Sequence, residues 1–266
     1  MNEPMPLLGL ENVTKAFGRG AGAVQALRGV SLTLSPGRAT ALVGASGSGK
    51  TTCARMLMGL EPPSGGTVRF KGRERAAVPG GRERLAFARC VQVVFQDPFA
   101  VLNPAHTIYY QLARPLARYH GLRGRAALKA RVGALLADVG LDAGLMERFP
   151  HQLSGGQRQR VNIARALAAE PEVLIADEPT SMLDLSLRLG VLAIFKRLKA
   201  ERNLSLLYIT HDLATAHHIA DEICVMHEGL IVERGPAGEV IANPAHPYTR
   251  LLLAAVPDPD RPRHGS

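Results

Sequence analysis

An apolar run, Ala41-Leu42-Val43, opens into Gly44-Ala45-Ser46-Gly47-Ser48-Gly49-Lys50-Thr51, and residues 51–60, TTCARMLMGL, read as a helix ended by Gly59 and by Pro62-Pro63. No other stretch restricts the possible folds as strongly. Glycines at 44, 47 and 49 let the backbone wrap until several N–H groups aim at one point. A helix beginning near Lys50 adds its positive N-terminal dipole, and Lys50 itself adds a full cation. Strand, glycine loop and helix together form an anion cradle, and the G-x-x-x-x-G-K-[ST] spacing suits a run of phosphates. In this reading the backbone at Gly44, Ser46, Gly47, Ser48 and Gly49 surrounds the phosphates, and Lys50 faces the β- and γ-positions. Thr51 offers its hydroxyl to Mg²⁺, and Thr52 is a further phosphate contact.

A second apolar run, Val173-Leu174-Ile175-Ala176, ends in Asp177-Glu178. An uninterrupted apolar run reads as a strand buried on both faces, and ligands of open α/β sheets collect at the carboxyl ends of such strands. Beside a phosphate loop, Asp177 is placed to hold the metal and Glu178 to act as general base on an attacking water.

The remaining chain alternates strand and helix patterns. LLGLENVTKAF and GVSLTLSPG read as early strands, SGGTVRFKG as a short hairpin strand, and residues 82–96 run into another strand, VQVVF. From about residue 97 the text turns rich in Pro and aromatics, then helical, with Leu128, Val132, Leu135, Leu136 and Val139 in a 3.6-residue period. After VLIAD come helix LRLGVLAIFKRLKAE, strand SLLYIT, helix LATAHHIA, strand EICVMHEG and a short strand LIVERG. Such alternation implies a parallel sheet.

With 46% hydrophobic and 21% charged residues, the chain has the composition of a globular domain, and disorder is excluded. The apolar runs are too short for a membrane helix, and the N-terminal text lacks the basic-then-apolar order of a signal peptide. Cys53, Cys90 and Cys224 are scattered, form no C-x-x-C, and read as core positions in a reducing compartment. The net charge of +9 raises nucleic acid or anionic lipid as partners. Arginine greatly outnumbers lysine and is spread along the chain, which weakens that reading.

Leu153-Ser154-Gly155-Gly156-Gln157 precedes another helical stretch, RQRVNIARALAAEP. Ser154 can cap it, and the glycines leave backbone N–H groups approachable by a second phosphate. With GASGSGKTT, Gln96 in VFQDP, LSGGQRQR, VLIADEP, Ser181-Met182-Leu183-Asp184 and His211 in YITHD, the chain resembles an ABC-type ATPase over residues about 7–240. The resemblance implies a RecA-like α/β core of the P-loop NTPase kind, with an antiparallel β subdomain and a helical subdomain at about 97–160. It also implies head-to-tail pairing around two ATP.

By the same resemblance, Phe17 stacks on adenine, where many relatives have Tyr. Gln96 reaches Mg²⁺ and the attacking water, and His211 contacts the γ-phosphate. Ser154, Gly155, Gly156 and Gln157 clamp ATP held by the partner, and Asp184 lies in the loop that communicates across the pair. His217 and His218 carry no such context. The interface loop reads SMLD where SALD is usual, so Met182 alters packing there.

Residues 241–266, with Asn243-Pro244-Ala245-His246-Pro247-Tyr248-Thr249-Arg250, resemble the C-terminal extension of ATPases that drive oligopeptide, dipeptide and nickel importers, as does QDPFAVLNPAHTI at 96–108. No Cys follows Cys224, so an iron–sulfur cluster is not expected. The resemblance implies a second ATPase subunit, identical or related, two membrane permeases, a substrate-binding protein reached through them, and a place on the cytoplasmic face of the membrane. Residues 97–120, with Phe99, Tyr109, Tyr110 and Tyr119, are the expected permease-docking surface. A soluble ATPase acting on nucleic acid or ribosomes, or a nucleotide switch without transport, are the competing readings. Lys50 and Ser154 are not separated by coiled-coil heptads and the chain has one such cassette, which speaks against the first.

Overall fold

The computed structural model describes residues 5–18, 20–75 and 80–255; residues 256–266 of the C-terminal extension lie outside it. The chain opens with β1 (Leu8–Phe17) and β2 (Val24–Leu34), paired antiparallel in the register Leu8↔Leu34 and Leu10↔Leu32. Then follow β3 (Ala39–Val43), α1 (Lys50–Leu57), β4 (Gly65–Phe70), the two-residue β5 (Arg73–Glu74), α2 (Gly81–Cys90) and β6 (Val91–Val94). A helical segment comes next: α3 (Pro98–Val101), α4 (Ile108–His120), α5 (Arg125–Asp138) and α6 (Gly155–Leu167). The rest is β7 (Val173–Asp177), α7 (Leu185–Arg202), β8 (Ser205–Thr210), α8 (Leu213–Ile219), β9 (Glu222–His227), β10 (Leu230–Pro236), α9 (Ala237–Ala242) and α10 (Pro247–Ala254).

Two sheets result. One is antiparallel in the order β2-β1-β4-β5; the other runs β10-β9-β3-β8-β7-β6 and is parallel except for the β9–β10 pair. The expected parallel sheet is present because β3, β8 and most of β7 are buried on both faces. Alternate side chains feed different cores. Leu174, Ala176, Leu206 and Tyr208 join the core under α4–α7. Val173, Ile175, Leu207 and Ile209 join a second core, shared with α1 and the antiparallel sheet. Ala41 and Val43 pack with Leu213, Ala216 and Val240, a third core that Tyr248 and Leu252 of α10 partly cover.

Three details differ from the sequence reading. Residues 81–90 form a helix before the β6 strand, anchored by buried Phe87, which meets Phe70 edge-on at 5.1 Å and carries the Arg75 guanidinium at 3.8 Å. Cys53 and Cys224 are core residues, their thiols pushed up to about 12 by burial, whereas Cys90 is only half-buried and bonds Glu172. Tyr109 is half-buried against the core under α4, while Phe99 and Tyr110 are exposed.

Candidate functional site

Because β3, β8, β7 and β6 are neighbouring parallel strands, everything that follows their carboxyl ends meets at one edge. The loop after β3, His211 after β8, Asp177 and Glu178 at the end of β7, and Gln96 after β6 line a single cleft of about 730 Å³. Ala45, Ser46, Gly47, Gly49, Lys50, Thr51 and Thr52 form its floor, and Ala26 and Leu252 complete its wall.

The loop is held in an open curl. Gly49 lies in the left-handed region at φ 109°, and a Cβ there would come within 2.8 Å of Ala26 O. At Gly44 a Cβ would stand 2.1 Å from Met226 O, so only glycine fits. The Lys50 ammonium reaches back to Gly44 O at 2.7 Å and Ala45 O at 2.8 Å. Burial pulls its pKa below the ordinary value, against the opposing charges of Glu178 and Asp177. The Ser48 hydroxyl is buried without a hydrogen-bond partner in the described structure. A buried cation and an unpaired buried hydroxyl beside a glycine curl fit an anionic ligand.

Opposite the loop, the Thr51 hydroxyl and the Asp177 carboxylate face the same cleft. This pair supplies only oxygen donors, the ligand type of a hard divalent cation such as Mg²⁺. Burial and the neighbouring Glu178 raise the Asp177 pKa, and Lys50 and Thr51 oppose the shift. A carboxyl with a raised folded pKa contributes stability below its ordinary value of 3.8, and this is lost as pH rises through the folded value. At pH 7 the ligand-free fold therefore bears the cost of Asp177. Asp177→Asn is expected to raise the melting temperature of the ligand-free protein by about 2 °C or more. Calorimetry at pH 7 showing an unchanged or lower melting temperature would contradict this.

Glu178 stands in the left-handed region at φ 45°, unusual for a side chain of its size. Its N–H donates to Ile209 O at 2.9 Å, and Ser181 donates its hydroxyl to Glu178 O at 3.0 Å. These bonds direct the carboxylate into the cleft, where Oε2 is 3.4 Å from His211 Nδ1.

The remaining predicted residues lie apart from the cleft wall. Ser154 caps α6: its hydroxyl accepts from Gln157 N at 3.2 Å, and Gln157 Oε1 accepts from Ser154 N at 3.0 Å. A Cβ on Gly156 would meet Leu187 at 3.1 Å, which sets this turn beside the first turn of α7, capped by Asp184 through Leu187 N at 2.9 Å. Residues 154–157 and Asp184 thus form a second group, with Ser154, Gly155 and Asp184 exposed and Gly156 buried beneath them. Phe17, at the end of β1, is 43% exposed with Lys15 Nζ 5.1 Å from its ring centre, outside the cleft lining. Met182 is exposed, as are His217 and His218.

Sequence reasoning missed the bonds that tie α6 to the cleft. Gln159 donates to Pro179 O at 2.8 Å, and Asn162 donates to Phe95 O at 3.3 Å, next to Gln96. Both are buried amides on the apolar side of α6, a mismatch of polarity and position that the helical period could have revealed. Ala26 and Leu252 carried no such signal.

The family description "ABC transporter" matches residues 27–181, and "Oligopeptide/dipeptide transporter, C-terminal region" matches 232–266. The chain is 45% identical over 237 residues to the oligopeptide transport ATP-binding protein OppF of Escherichia coli, covering 89% of this chain and 71% of that one. It is 43% identical over 256 residues to the di/tripeptide transport ATP-binding protein DppF of Pseudomonas aeruginosa, covering 94% and 78%. Among solved structures, a dimeric ATP-binding cassette in a post-hydrolysis state, bound to ADP and Pi, superposes with a TM-score of 0.78 at 30% identity, covering 86% of this chain and 98% of that one. Fold, cleft and sequence matches agree: the chain belongs to the ABC transporter family and is one of its ATP-binding, ATP-hydrolysing cassettes.

Proposed function

We propose that this cassette powers peptide import through partner permeases. The observation that carries the ATPase half is the convergence of the Lys50 loop, Gln96, the Asp177–Glu178 pair and His211 on one cleft. The peptide half is supported by the C-terminal match at 232–266 and by the names of the relatives.

In this reading the ATP phosphates enter the loop, where backbone N–H groups, the Ser48 hydroxyl and Lys50 take up their charge, and Thr52 makes a further contact. Thr51, Asp177 and Gln96 would hold Mg²⁺, which would supply positive charge to offset that of the phosphates. Glu178 takes a proton from water as the water oxygen attacks the γ-phosphorus, and the bond to the β-phosphate oxygen breaks, yielding ADP and phosphate. His211, beside Glu178, holds the γ-phosphate. Phe17 offers its ring to adenine. The Ser154–Gln157 turn of a second, identical or related subunit closes over the γ-phosphate, with Asp184 beside it. ATP binds the closed pair more tightly than the open one and so shifts the population towards closure; hydrolysis removes the bridge and the pair reopens.

The permeases dock, in this proposal, at the groove of about 470 Å³ between β6 and α4, lined by Phe95, Val101, Tyr110, Arg114, Arg118 and Arg165, with exposed Phe99 next to it. No helix of the described residues is long and apolar enough to cross a membrane, so the membrane passage falls to the permeases. The cassette then sits at the cytoplasmic face, and the substrate-binding protein reaches it only through them. Nucleic acid has no part in this reading.

The test is co-expression with the permeases and the partner ATPase subunit, and uptake of a labelled tripeptide into vesicles loaded with ATP and given the substrate-binding protein outside. Wild type should import, and Phe99→Ala with Tyr110→Ala should lower co-purification and peptide-stimulated ATPase at least about tenfold, the range lost when anchoring aromatics are truncated. Unaltered assembly in the double variant would remove the groove from the interface. Absence of ATP-dependent uptake in wild type would remove peptide import.

A further inference from the structure

The His-Pro-Tyr turn that opens α10 has no part in the chemistry above, yet it lies on the phosphate loop. The Tyr248 hydroxyl accepts a hydrogen bond from Ala45 N at 2.9 Å. On its other side the same residue's carbonyl accepts from Lys50 Nζ at 2.8 Å and from Ser48 N at 3.3 Å. Ala45 is thus held at both its N–H and its C=O, one from the C-terminal extension and one from within the loop. Leu252, one helical turn beyond Tyr248, lines the nucleotide cleft.

The hydroxyl is itself firmly placed. The Tyr248 ring stacks on His227, the last residue of β9, with centres 3.9 Å apart and planes 23° from parallel. Its N–H donates to His246 Nδ1 at 3.2 Å. The Glu233 carboxylate of β10 accepts from Ala245 N at 2.7 Å and His246 N at 3.0 Å, which pins the turn to the sheet. Arg250 donates to Pro244 O at 2.9 Å and Ala245 O at 3.0 Å, closing the turn from the other side, and Thr249 is wholly buried. A stacked ring on a turn bonded to the sheet has little freedom, so its hydroxyl can hold the loop at little further entropic cost.

We infer that this turn and α10 brace the phosphate loop, and that Tyr248 is a positioning residue that pre-orders the Gly44–Ala45 entry of the loop for nucleotide. The inference rests on the reading that this loop binds ATP. Tyr248 touches no reacting atom in it; its effect falls on affinity, because an ordered loop spends less of the binding energy on its own ordering.

The test uses the full-length protein and Tyr248→Phe, which keeps the stack on His227 and removes only the hydroxyl. Titration calorimetry with Mg-ATP should show Kd raised about 3- to 10-fold, the range of one neutral hydrogen bond. The kcat at saturating ATP should stay within about twofold, and amide exchange across residues 42–46 should accelerate. Leu251→Ala, on the exposed side of the same helix, should leave Kd unchanged. A Tyr248→Phe protein with wild-type Kd overturns the brace, whether or not its melting temperature falls, since lost stability with intact affinity is a purely structural role. Lys50→Ala run in parallel separates the two failures: if it too binds ATP normally, the reading of the loop itself has failed.

Discussion

Replacing Glu178 by Gln is expected to lower ATP turnover about 10²- to 10⁴-fold, the usual contribution of a general base, while ATP still binds. Glutamine keeps the size and much of the hydrogen bonding but cannot take the proton. The backbone at 178 is held by its bonds to Ile209 O and from Ser181, so the substitution leaves the loop in place. With closure intact and hydrolysis stopped, the pair should accumulate in its ATP-bound, associated form. Gel filtration with Mg-ATP and a phosphate-release assay read both effects. Wild-type turnover would remove Glu178 as the base. Loss of ATP binding would show that the residue shapes the pocket rather than the chemistry.

Lys50→Ala should act one step earlier. It removes a buried cation bonded to Gly44 O and Ala45 O, so both the charge facing the phosphates and an internal clasp of the loop are lost. A charge-assisted bond carries about 1.5–3 kcal/mol, which predicts ATP affinity about 10- to 100-fold weaker. Equilibrium titration with Mg-ATP gives the value directly. The two variants should separate cleanly, one binding without turnover and the other scarcely binding. Equal affinity of Lys50→Ala and wild type would mean that the phosphates lie elsewhere.

Most of the cleft was legible in the sequence because its parts are local. The Lys50 loop needs glycines and a following helix within a few residues, and Asp177-Glu178 is legible as acids closing a buried run. Ser154 and Gln157 were readable for the same reason, since a capping box is complete within four positions. The extension was legible only as a likeness, because the bond from Ala45 to Tyr248 joins residues far apart in the chain. Helix α2 was overlooked because only one of its residues, Phe87, is buried, leaving hardly any apolar period to detect. Tyr109 and Tyr110 were read together as one surface, but adjacent helical positions point about 100° apart, so Tyr109 is half-buried against the core while Tyr110 is exposed.

What the sequence determined alone was the chemistry of each segment: a phosphate-binding loop, an acidic strand end, a capped glycine turn, a histidine after a strand. Steric and hydrogen-bonding demands within a few residues suffice for that. The strand order β3-β8-β7-β6 was decided only in the tertiary structure, and with it the meeting of Lys50, Gln96, Glu178 and His211 at one edge. So was the seating of α10 against the loop. Strand order depends on which buried faces pack together over long separations, and no local pattern of residues encodes that choice.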